Sequence, residues 1–480
     1  MTHSARTNTD GREFGVNQNT QLLHTGLSIP AGKPSTGGNV VTRSVKADPT
    51  PHPYRRQLDV TFDSGTLAGV TDQKLPLRAK VATSVSKTAA ALSRAAGRGD
   101  GSVIGGWIGL KIDPELLSHL AAGRAIALVS GTNGKTTTTR LTAAAMEVLG
   151  PVATNSFGAN MPTGHTSALA KAGSTPFAVL EVDEHYLARV IEETHPRVVA
   201  LLNLSRDQLD RAKEVAMMAQ MWRTALAAYQ DVKVVANADD PLVVWAASGS
   251  PYVVWFSAGQ RWHDDSWVCP QSGHPIERRG GDWWCTGCPL RRPRAHWQVE
   301  EEGVVDPRGD WHLVKLQLPG QVNLGNAATA LAVVAEFGVH PLKALPYLAT
   351  VTSVAGRYAQ VERDGRNIRL LLAKNPASWL EAFDMAEIAP TLLSINARDP
   401  DGLDTSWLYD VDFSPLRNRP VLITGDRAYD LAVRLEVNGV PFRHVTSFDE
   451  ALQGVPPGRL EVIANYTAFQ DIRAELDRVN

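Results

Sequence analysis

The chain has 480 residues, a formal net charge of −2, 43% hydrophobic residues and three cysteines. This length allows two or three domains with full cores, and the charge excludes general nucleic-acid binding, which needs a basic surplus. No uninterrupted apolar run approaches the length of a membrane span, and the first residues lack a charged-then-apolar signal pattern. We therefore expect a cytoplasmic protein.

The first segment, residues 1–76, is rich in Thr, Asn, Gly, Pro and Ser and shows no apolar periodicity. Such a composition buries too little surface to offset the entropy of ordering the chain. We predict that residues 1–76 form a disordered N-terminal extension, and the alternative is an extension that results from an overcalled start codon.

A helix is predicted to begin at Leu77, because apolar residues recur there every three or four positions. The apolar stripe consists of Leu77, Val81, Val85, Ala89 and Leu92. The helix carries basic residues and no acid between them, namely Arg78, Lys80, Lys87, Arg94 and Arg98. Two interpretations remain open: a solvated helix packed on its own domain, or a helix in peripheral contact with the inner face of the membrane or a lipid-linked substrate.

The segment Gly131–Arg140, GTNGKTTTTR, lies between an apolar run and a helical pattern. A strand, a glycine turn and Gly-Lys-Thr at a helix start are typical of a phosphate-binding loop. Lys135 would reach the terminal phosphates and the Thr136 hydroxyl would bind Mg²⁺, whereas the alternative is a glycine-rich turn with a chance lysine. The predicted ATP-binding residues of the loop are Gly131, Thr132, Asn133, Gly134, Lys135, Thr136 and Thr137.

Strands and helices alternate from Ala125 to about Gly249, a pattern that predicts a parallel sheet with helices on both faces. The predicted strands are Ala125–Ser130, Phe177–Val182, Arg197–Leu202 and Val232–Ala236. Ligands bind at the carboxyl ends of such strands, where Glu181 is placed to hold Mg²⁺. The alternative is a solvated acidic residue at a strand end.

The sequence TNGKTTT, followed by Glu181 and by NADD at 237–240, resembles the Mur ligases and their folylpolyglutamate synthase relatives. These enzymes activate a carboxylate as an acyl phosphate and then add an amine. The resemblance implies ATP and Mg²⁺, makes Glu181 catalytic, and adds the nucleotide contacts Asn237, Asp240 and Asn326. Asn160 is the expected substrate-side contact, and Gln208 stands where most Mur ligases have a histidine.

A Trp- and Cys-rich stretch at 250–315 interrupts the alternating pattern and is predicted to be an inserted, zinc-ribbon-like module. Cys285 and Cys288 have knuckle spacing, and Cys269 lies upstream. Ser272 occupies the position of the fourth cysteine of a ribbon, so His274 is the candidate fourth ligand of a structural Zn²⁺. The alternative is a metal-free ribbon held together by its tryptophans.

The last part of the chain, 355–480, alternates again and is predicted to be a C-terminal Rossmann-like α/β domain that follows a central ATP-binding domain at 77–354. The predicted strands are Ile368–Leu372, Thr391–Ile395, Val421–Thr424 and Leu460–Ala464. Its segments GRY, AKNP, DTSWLYD, TGDRA and NYTAF, together with DQLDR at 207–211 and the cysteine module, resemble the MurT family, the Mur-ligase-like subunit of lipid II isoglutaminyl synthase.

This resemblance implies ATP-dependent amidation of the α-carboxylate of D-glutamate in the lipid II stem peptide, with ammonia supplied by a GatD-type glutaminase subunit. It also assigns Asp404 to the partner's Cys–His pair, where it would orient the histidine. A glutaminase needs a nucleophilic cysteine with a histidine base, and all three cysteines here lie in the metal-like module. Two alternatives remain: a stand-alone amino-acid ligase of the Mur or folylpolyglutamate synthase type, and a non-catalytic ATP-binding scaffold.

Overall fold

A computed structural model describes residues 75–97, 101–155, 158–207, 215–354 and 357–479. Nearly all of the predicted N-terminal extension, together with Arg98 and Gln208, lies outside these residues. The described helices are α1 (Leu77–Ala95), α2 (Ser102–Ile112), α3 (Leu116–Ala121), α4 (Lys135–Met146), α5 (Pro162–Ala172), α6 (Leu187–Thr194), α7 (Val215–Ala228), α8 (Pro241–Ala247), α9 (Gln321–Ala335), α10 (Pro341–Leu348), α11 (Pro376–Met385), α12 (Ala428–Val437), α13 (Phe448–Gln453) and α14 (Tyr466–Val479).

The described strands form three sheets. In chain order they are β1 (Ala125–Ser130), β2 (Val152–Thr154), β3 (Phe177–Glu181), β4 (Val198–Leu201), β5 (Lys233–Asn237), β6 (Val253–Ser257), β7 (Ile276–Arg279), β8 (Asp282–Cys285), β9 (Trp297–Glu300), β10 (Gly303–Val305), β11 (Trp311–Leu313), β12 (Tyr358–Arg363), β13 (Arg366–Leu372), β14 (Thr391–Ser394), β15 (Val421–Thr424), β16 (Phe442–His444) and β17 (Gly458–Ala464).

The central sheet has nine strands in the order β11-β10-β9-β6-β5-β4-β1-β3-β2. All of its strands except β10 and β11 pair in parallel with their neighbours on the β2 side, or with β3 in the case of β2. Successive residues of β1 face opposite cores: Ile126 and Leu128 pack on one side, and Ala127 and Val129 on the other. Helices therefore cover both faces, as the near-continuous apolar strands require. The alternating pattern in the sequence correctly predicted this architecture.

The inserted module is smaller than the predicted 250–315. Within that range β6, β9, β10 and β11 belong to the central sheet. β9 pairs in parallel with β6, and β10 and β11 extend the sheet through antiparallel pairs. Trp297, part of the tryptophan-rich composition that marked the module, is buried in the core of the sheet. Only the β7–β8 hairpin and the loops around it stand outside the sheet, and they hold all three cysteines.

The C-terminal sheet has the order β12-β13-β17-β14-β15-β16 and is parallel except for the β12–β13 pair. The four strands predicted for this part are present as β13, β14, β15 and β17. Asn375 caps the start of α11 and forms a capping box with Ser378. The side chain of Asn133, in the loop between β1 and α4, donates to Asn375, so α11 begins next to that loop.

The first helix exists as predicted, but it does not bury its apolar stripe. The stripe points away from the protein, whereas the small residues of the helix are buried. The buried residues are Ala79, Ala82, Ser86, Ala90 and Ser93. Among the described helices, none combines the length and the apolar character needed to cross a membrane.

Candidate active site

The loop between β1 and α4 has the geometry of a phosphate-binding loop. Gly131 and Gly134 have φ values of 145° and 81°, which favour glycine. A Cβ atom on Gly134 would lie 2.8 Å from the Asn326 side-chain oxygen, so the loop and α9 pack too closely for a side chain. Lys135 begins α4, and backbone N–H groups at this helix start are the donors that a phosphate requires.

Lys135 is buried and paired inside the loop. Its Nζ donates to the Gly131 carbonyl at 2.5 Å and to Glu184 Oε2 at 3.0 Å. Burial alone would lower the pKa of Lys135, but the carboxylates of Glu184 and Glu181 more than offset it and hold the pKa above its usual value. The lysine is therefore charged, and its Nζ lies inside the loop that is predicted to bind the phosphates.

Glu181 ends β3 beside this lysine and is almost wholly buried. Its Oε1 has no hydrogen-bond partner among the described residues, and a buried carboxylate oxygen without a partner is the chemistry that a divalent cation satisfies. The Asn155 side chain fixes the strand end: its Oδ1 accepts from the Glu181 N–H at 2.8 Å and its Nδ2 donates to the Glu181 carbonyl. The predicted Mg²⁺ ligand thus has the orphaned oxygen that such an ion needs.

The predicted substrate residue Asn160 lies in the same place. Its carbonyl accepts from the Asp183 N–H at 2.9 Å, two residues beyond Glu181. The next helix, α5, carries His165, whose Nε2 donates to the Glu181 carbonyl at 2.7 Å. Burial lowers the pKa of His165 to about 4, so this imidazole is neutral.

A cleft opens beside the loop, between the central sheet and α11. Asn133, Asn237 and Asn326, which are predicted nucleotide contacts, line it on the side of the central sheet. Asn326 Oδ1 also accepts from Thr138 Oγ1 at 3.0 Å, which ties α9 to α4. On the opposite side lies Glu381, and burial raises its pKa to about 7.

Asp240, predicted as a nucleotide contact, instead has a structural position. Its carboxylate accepts from the backbone N–H groups of Leu204 and Leu242 at 2.9 Å and caps α8. It is fully buried, and it is not among the residues that line the cleft. Within the NADD segment, Asn237 is the residue that lines the cleft.

Three side chains of the C-terminal part contact the central part: Arg357 and Asn375 reach the phosphate loop, and Lys374 reaches Asp207 outside it. The sequence contained their motifs without indicating these contacts. Arg357 Nε donates to Thr136 Oγ1 at 3.0 Å, and Asn375 exchanges side-chain amide hydrogen bonds with Asn133 at 3.2 and 3.3 Å. Lys374 forms an ion pair with Asp207. The only sequence signal for these residues was their presence in the GRY and AKNP segments.

The three cysteines of the inserted module lie close together. The sulfurs of Cys269, Cys285 and Cys288 all lie within 4.8 Å of one another. Burial would raise the pKa of the Cys285 thiol, but hydrogen bonds from Ser272 and from the Gly287 amide lower it to about 6. A thiolate in a three-sulfur cluster fits Zn²⁺.

His274, the predicted fourth zinc ligand, does not belong to this cluster. Its ring lies against Gly287, and its Nδ1 contacts the Ser272 carbonyl at 3.1 Å. The Ser272 hydroxyl lies 3.2 Å from Cys285 Sγ instead. The reason is local: the tight turn after Cys269 points the Ser272 side chain inward and directs the His274 ring back onto the loop.

Asp404 lies on an exposed loop of the C-terminal part. Its Oδ1 accepts from the Ser406 N–H at 2.8 Å, and this hydrogen bond lowers the pKa of the Asp404 carboxyl. The carboxylate is therefore ionised and turned to the surface, apart from the phosphate loop.

Comparisons with known proteins agree with this geometry. Residues 129–334 match the model of the Mur ligase middle domain, and residues 372–469 match that of the MurT ligase C-terminal domain. A structure of a pseudomurein peptide ligase type C from Methanothermus fervidus superposes with a TM-score of 0.57 at 18% identity, covering 74% of this chain and 79% of that one. The fold and the site thus define an ATP-dependent ligase of the Mur-ligase-like class.

Two relatives are described as "Lipid II isoglutaminyl synthase (glutamine-hydrolyzing) subunit MurT". The Streptococcus pneumoniae protein is 29% identical over 78% of this chain and 92% of its own length, and the Staphylococcus aureus (strain COL) protein is 29% identical over 84% and 98%. The chain is thus similar to MurT subunits over most of its length, and its last part matches the MurT ligase C-terminal model.

Proposed function

We propose that this protein amidates the α-carboxylate of D-glutamate in the lipid II stem peptide to D-isoglutamine, using ATP and ammonia supplied by a separate glutaminase subunit. The observation that carries the proposal is the combination, in one chain, of the Lys135–Glu184 phosphate loop with a MurT-type C-terminal domain. The relatives' names as glutamine-hydrolysing subunits support the substrate and the two-component organisation.

The site's residues suit the formation of an acyl phosphate. Lys135 and the N–H groups at the start of α4 would bind the β- and γ-phosphates of ATP, and Thr136 and Glu181 would hold Mg²⁺, which neutralises phosphate charge when bound. The carboxylate of D-glutamate attacks the γ-phosphorus, and ADP leaves. Asn160, whose backbone carbonyl accepts from the Asp183 N–H, is our candidate for the residue that orients that carboxylate.

Ammonia then attacks the acyl carbon, loses a proton, and inorganic phosphate leaves with the electron pair of the broken C–O bond. The chain's own cysteines lie in the three-sulfur cluster, so the nucleophile that hydrolyses glutamine belongs to another subunit. Asp404, exposed and ionised, is our candidate for the residue that completes that subunit's Cys–His pair, and a GatD-type glutaminase is the proposed partner.

The cysteine cluster is proposed to hold a structural Zn²⁺ through Cys269, Cys285 and Cys288. Its position supports a structural role, since Trp283 next to it donates from Nε1 to the Ala238 carbonyl at 3.0 Å and so ties the hairpin to the end of β5.

The test is an amidation assay by mass spectrometry, with lipid II, ATP and either glutamine or ammonium, with and without a GatD-type glutaminase. We expect glutamine to serve only with the partner, and Lys135→Ala to abolish ADP formation with both nitrogen sources. Asp404→Asn should stop the glutamine reaction and spare the ammonium reaction.

Asp412→Asn is the matched control, because Asp412 is also exposed and accepts from the Ser414 N–H at 2.9 Å in the same kind of turn. Equal loss in both variants would contradict the role of Asp404. ADP release on adding a free amino acid, with no change in the mass of lipid II, would instead identify a stand-alone ligase.

A further inference from the structure

The first two helices pack through their smallest residues. The buried face of α1 meets Gly105 and Gly109 of α2, and a Cβ atom on Gly105 would lie 2.8 Å from the Ser86 carbonyl oxygen and 2.9 Å from Ala90 Cβ. Small residues at a helix contact let the two backbones approach closely and leave the large side chains outside.

The large apolar side chains of both helices are accordingly exposed. Leu77 is 79% exposed, Leu92 66% and Trp107 55%, and the other members of the set are Val81, Val85, Val103 and Ile104. A water-facing helix normally shows the reverse distribution, with its large apolar residues turned to the core. Single exposed apolar residues are common, whereas this set is concentrated on two consecutive helices that pack on each other.

The charges on these helices all have one sign. Neither α1 nor α2 contains an acidic residue, and the basic residues are Arg78, Lys80, Lys87, Arg94 and Lys111. Lys80, Lys87 and Arg94 recur every seven residues, so they lie along one side of α1 next to its apolar stripe. Such a helix complements a surface that has an apolar layer beneath a layer of negative charge.

We propose that α1 and α2 dock on an anionic phospholipid bilayer, with the apolar side chains at the acyl boundary and the basic side chains at the lipid phosphates. This inference rests on the proposed function, because a lipid-linked substrate places the reaction at a membrane surface. A second copy of the chain is a poorer occupant, since a symmetric contact would set one basic face against another.

The docking surface is connected to the active site through one helix, α5. Gly106 of α2 packs so tightly on α5 that a Cβ atom there would overlap the Thr163 carbonyl. His165, two residues further along α5, donates to the Glu181 carbonyl. Helix α5 therefore separates α1 and α2 from Glu181, the carboxylate assigned to Mg²⁺. This arrangement would keep the active site near a peptide that is attached to a lipid.

Flotation of the full-length chain with vesicles tests the proposal. We expect it to float with equimolar phosphatidylglycerol and phosphatidylcholine, and to stay behind with phosphatidylcholine alone. The Leu92→Ser/Trp107→Ser and Lys80→Glu/Lys87→Glu variants should each reduce the partition coefficient roughly tenfold or more.

Matched controls are Ile388→Ser, at a position 86% exposed, and Lys315→Glu/Lys343→Glu, at exposed positions in the remainder of the chain. These should float like the wild type. The proposal is overturned if the wild type does not float, if controls and test variants lose binding equally, or if light scattering shows a dimer that Trp107→Ser dissociates without any flotation.

Nucleotide affinity of every variant verifies folding independently of lipid. Ammonium-driven amidation of detergent-solubilised lipid II should survive in both test variants, whereas amidation of vesicle-borne lipid II should fall with the partition coefficient. A wild type that floats but amidates neither form refutes the proposed function and leaves the docking surface intact.

Discussion

Arg357 donates from Nε to the hydroxyl oxygen of Thr136 at 3.0 Å, and so joins the beginning of the C-terminal part to the first turn of α4. The hydroxyl that is expected to bind Mg²⁺ therefore has a guanidinium as its neighbour. A fixed positive charge at this point lies where negative charge on a transferring phosphoryl group would accumulate.

We expect Arg357→Ala to lower kcat for ADP formation roughly a hundredfold or more, since one preorganised donor at the transition state is lost. Arg357→Lys should recover only part of this loss, because an ammonium lacks the planar donor geometry of a guanidinium. A coupled-enzyme assay of ADP release, together with a measurement of nucleotide affinity, distinguishes the two variants. Arg363→Ala, at the end of β12 and directed at Asp449, is the control and should keep wild-type kcat.

Glu184 gives a second prediction, because its carboxylate pairs with Lys135 inside the phosphate loop. Glu184→Gln leaves a buried lysine without this carboxylate, so we expect the free energy of unfolding to fall by about 3 kcal/mol. ATP supplies the missing negative charge. The rise in Tm on adding Mg-ATP should therefore be larger in Glu184→Gln than in the wild type, and a smaller rise would contradict the pairing.

The central architecture followed from the sequence because its signals are local. β1 spans the predicted Ala125–Ser130, and α4 begins at the predicted Gly-Lys-Thr, since an apolar run, a glycine turn and a helix start each depend on neighbouring residues. Tertiary pairing was less accessible. The link between Asn133 and Asn375 spans 242 residues, and no local pattern in either segment predicts it.

Burial explains two further differences between pattern and structure. Asp240 follows a strand in the right motif, but its oxygens are taken by backbone amides, a choice that depends on where the 202–204 segment passes. The apolar stripe from Leu77 to Leu92 predicted the helix correctly, yet periodicity does not say which face is covered. Glycines on a different helix decide that, because they accept the small face of α1.

The cysteine cluster yields a third prediction, because the Ser272 hydroxyl lies 3.2 Å from Cys285 Sγ, so a cysteine at this position would add a fourth sulfur to the cluster. We expect Ser272→Cys to raise zinc affinity by at least roughly tenfold, since a thiolate is a stronger Zn²⁺ ligand than a hydroxyl. Competition with a chromogenic chelator measures the affinity. His274→Ala should leave it unchanged, and a loss of zinc in that variant would restore the histidine as the fourth ligand.

His165 makes stability depend on pH. Its pKa is about 4 in the folded protein because burial disfavours the charged ring, against an ordinary value near 6.5 when unfolded. Between these values the unfolded chain binds a proton that the folded chain does not, so stability is lost as pH falls from about 6.5 to about 4, by up to about 3 kcal/mol.

Replacing His165 by Gln removes this titration, while the Gln amide can still donate to the Glu181 carbonyl. Denaturant unfolding at a series of pH values should therefore give a flatter curve for His165→Gln below pH 6.5, and near-parallel curves above it. His185→Gln, at an exposed position, is the control and should retain the wild-type slope. A wild-type slope in His165→Gln as well would show that other groups, and not this buried imidazole, cause the acid sensitivity.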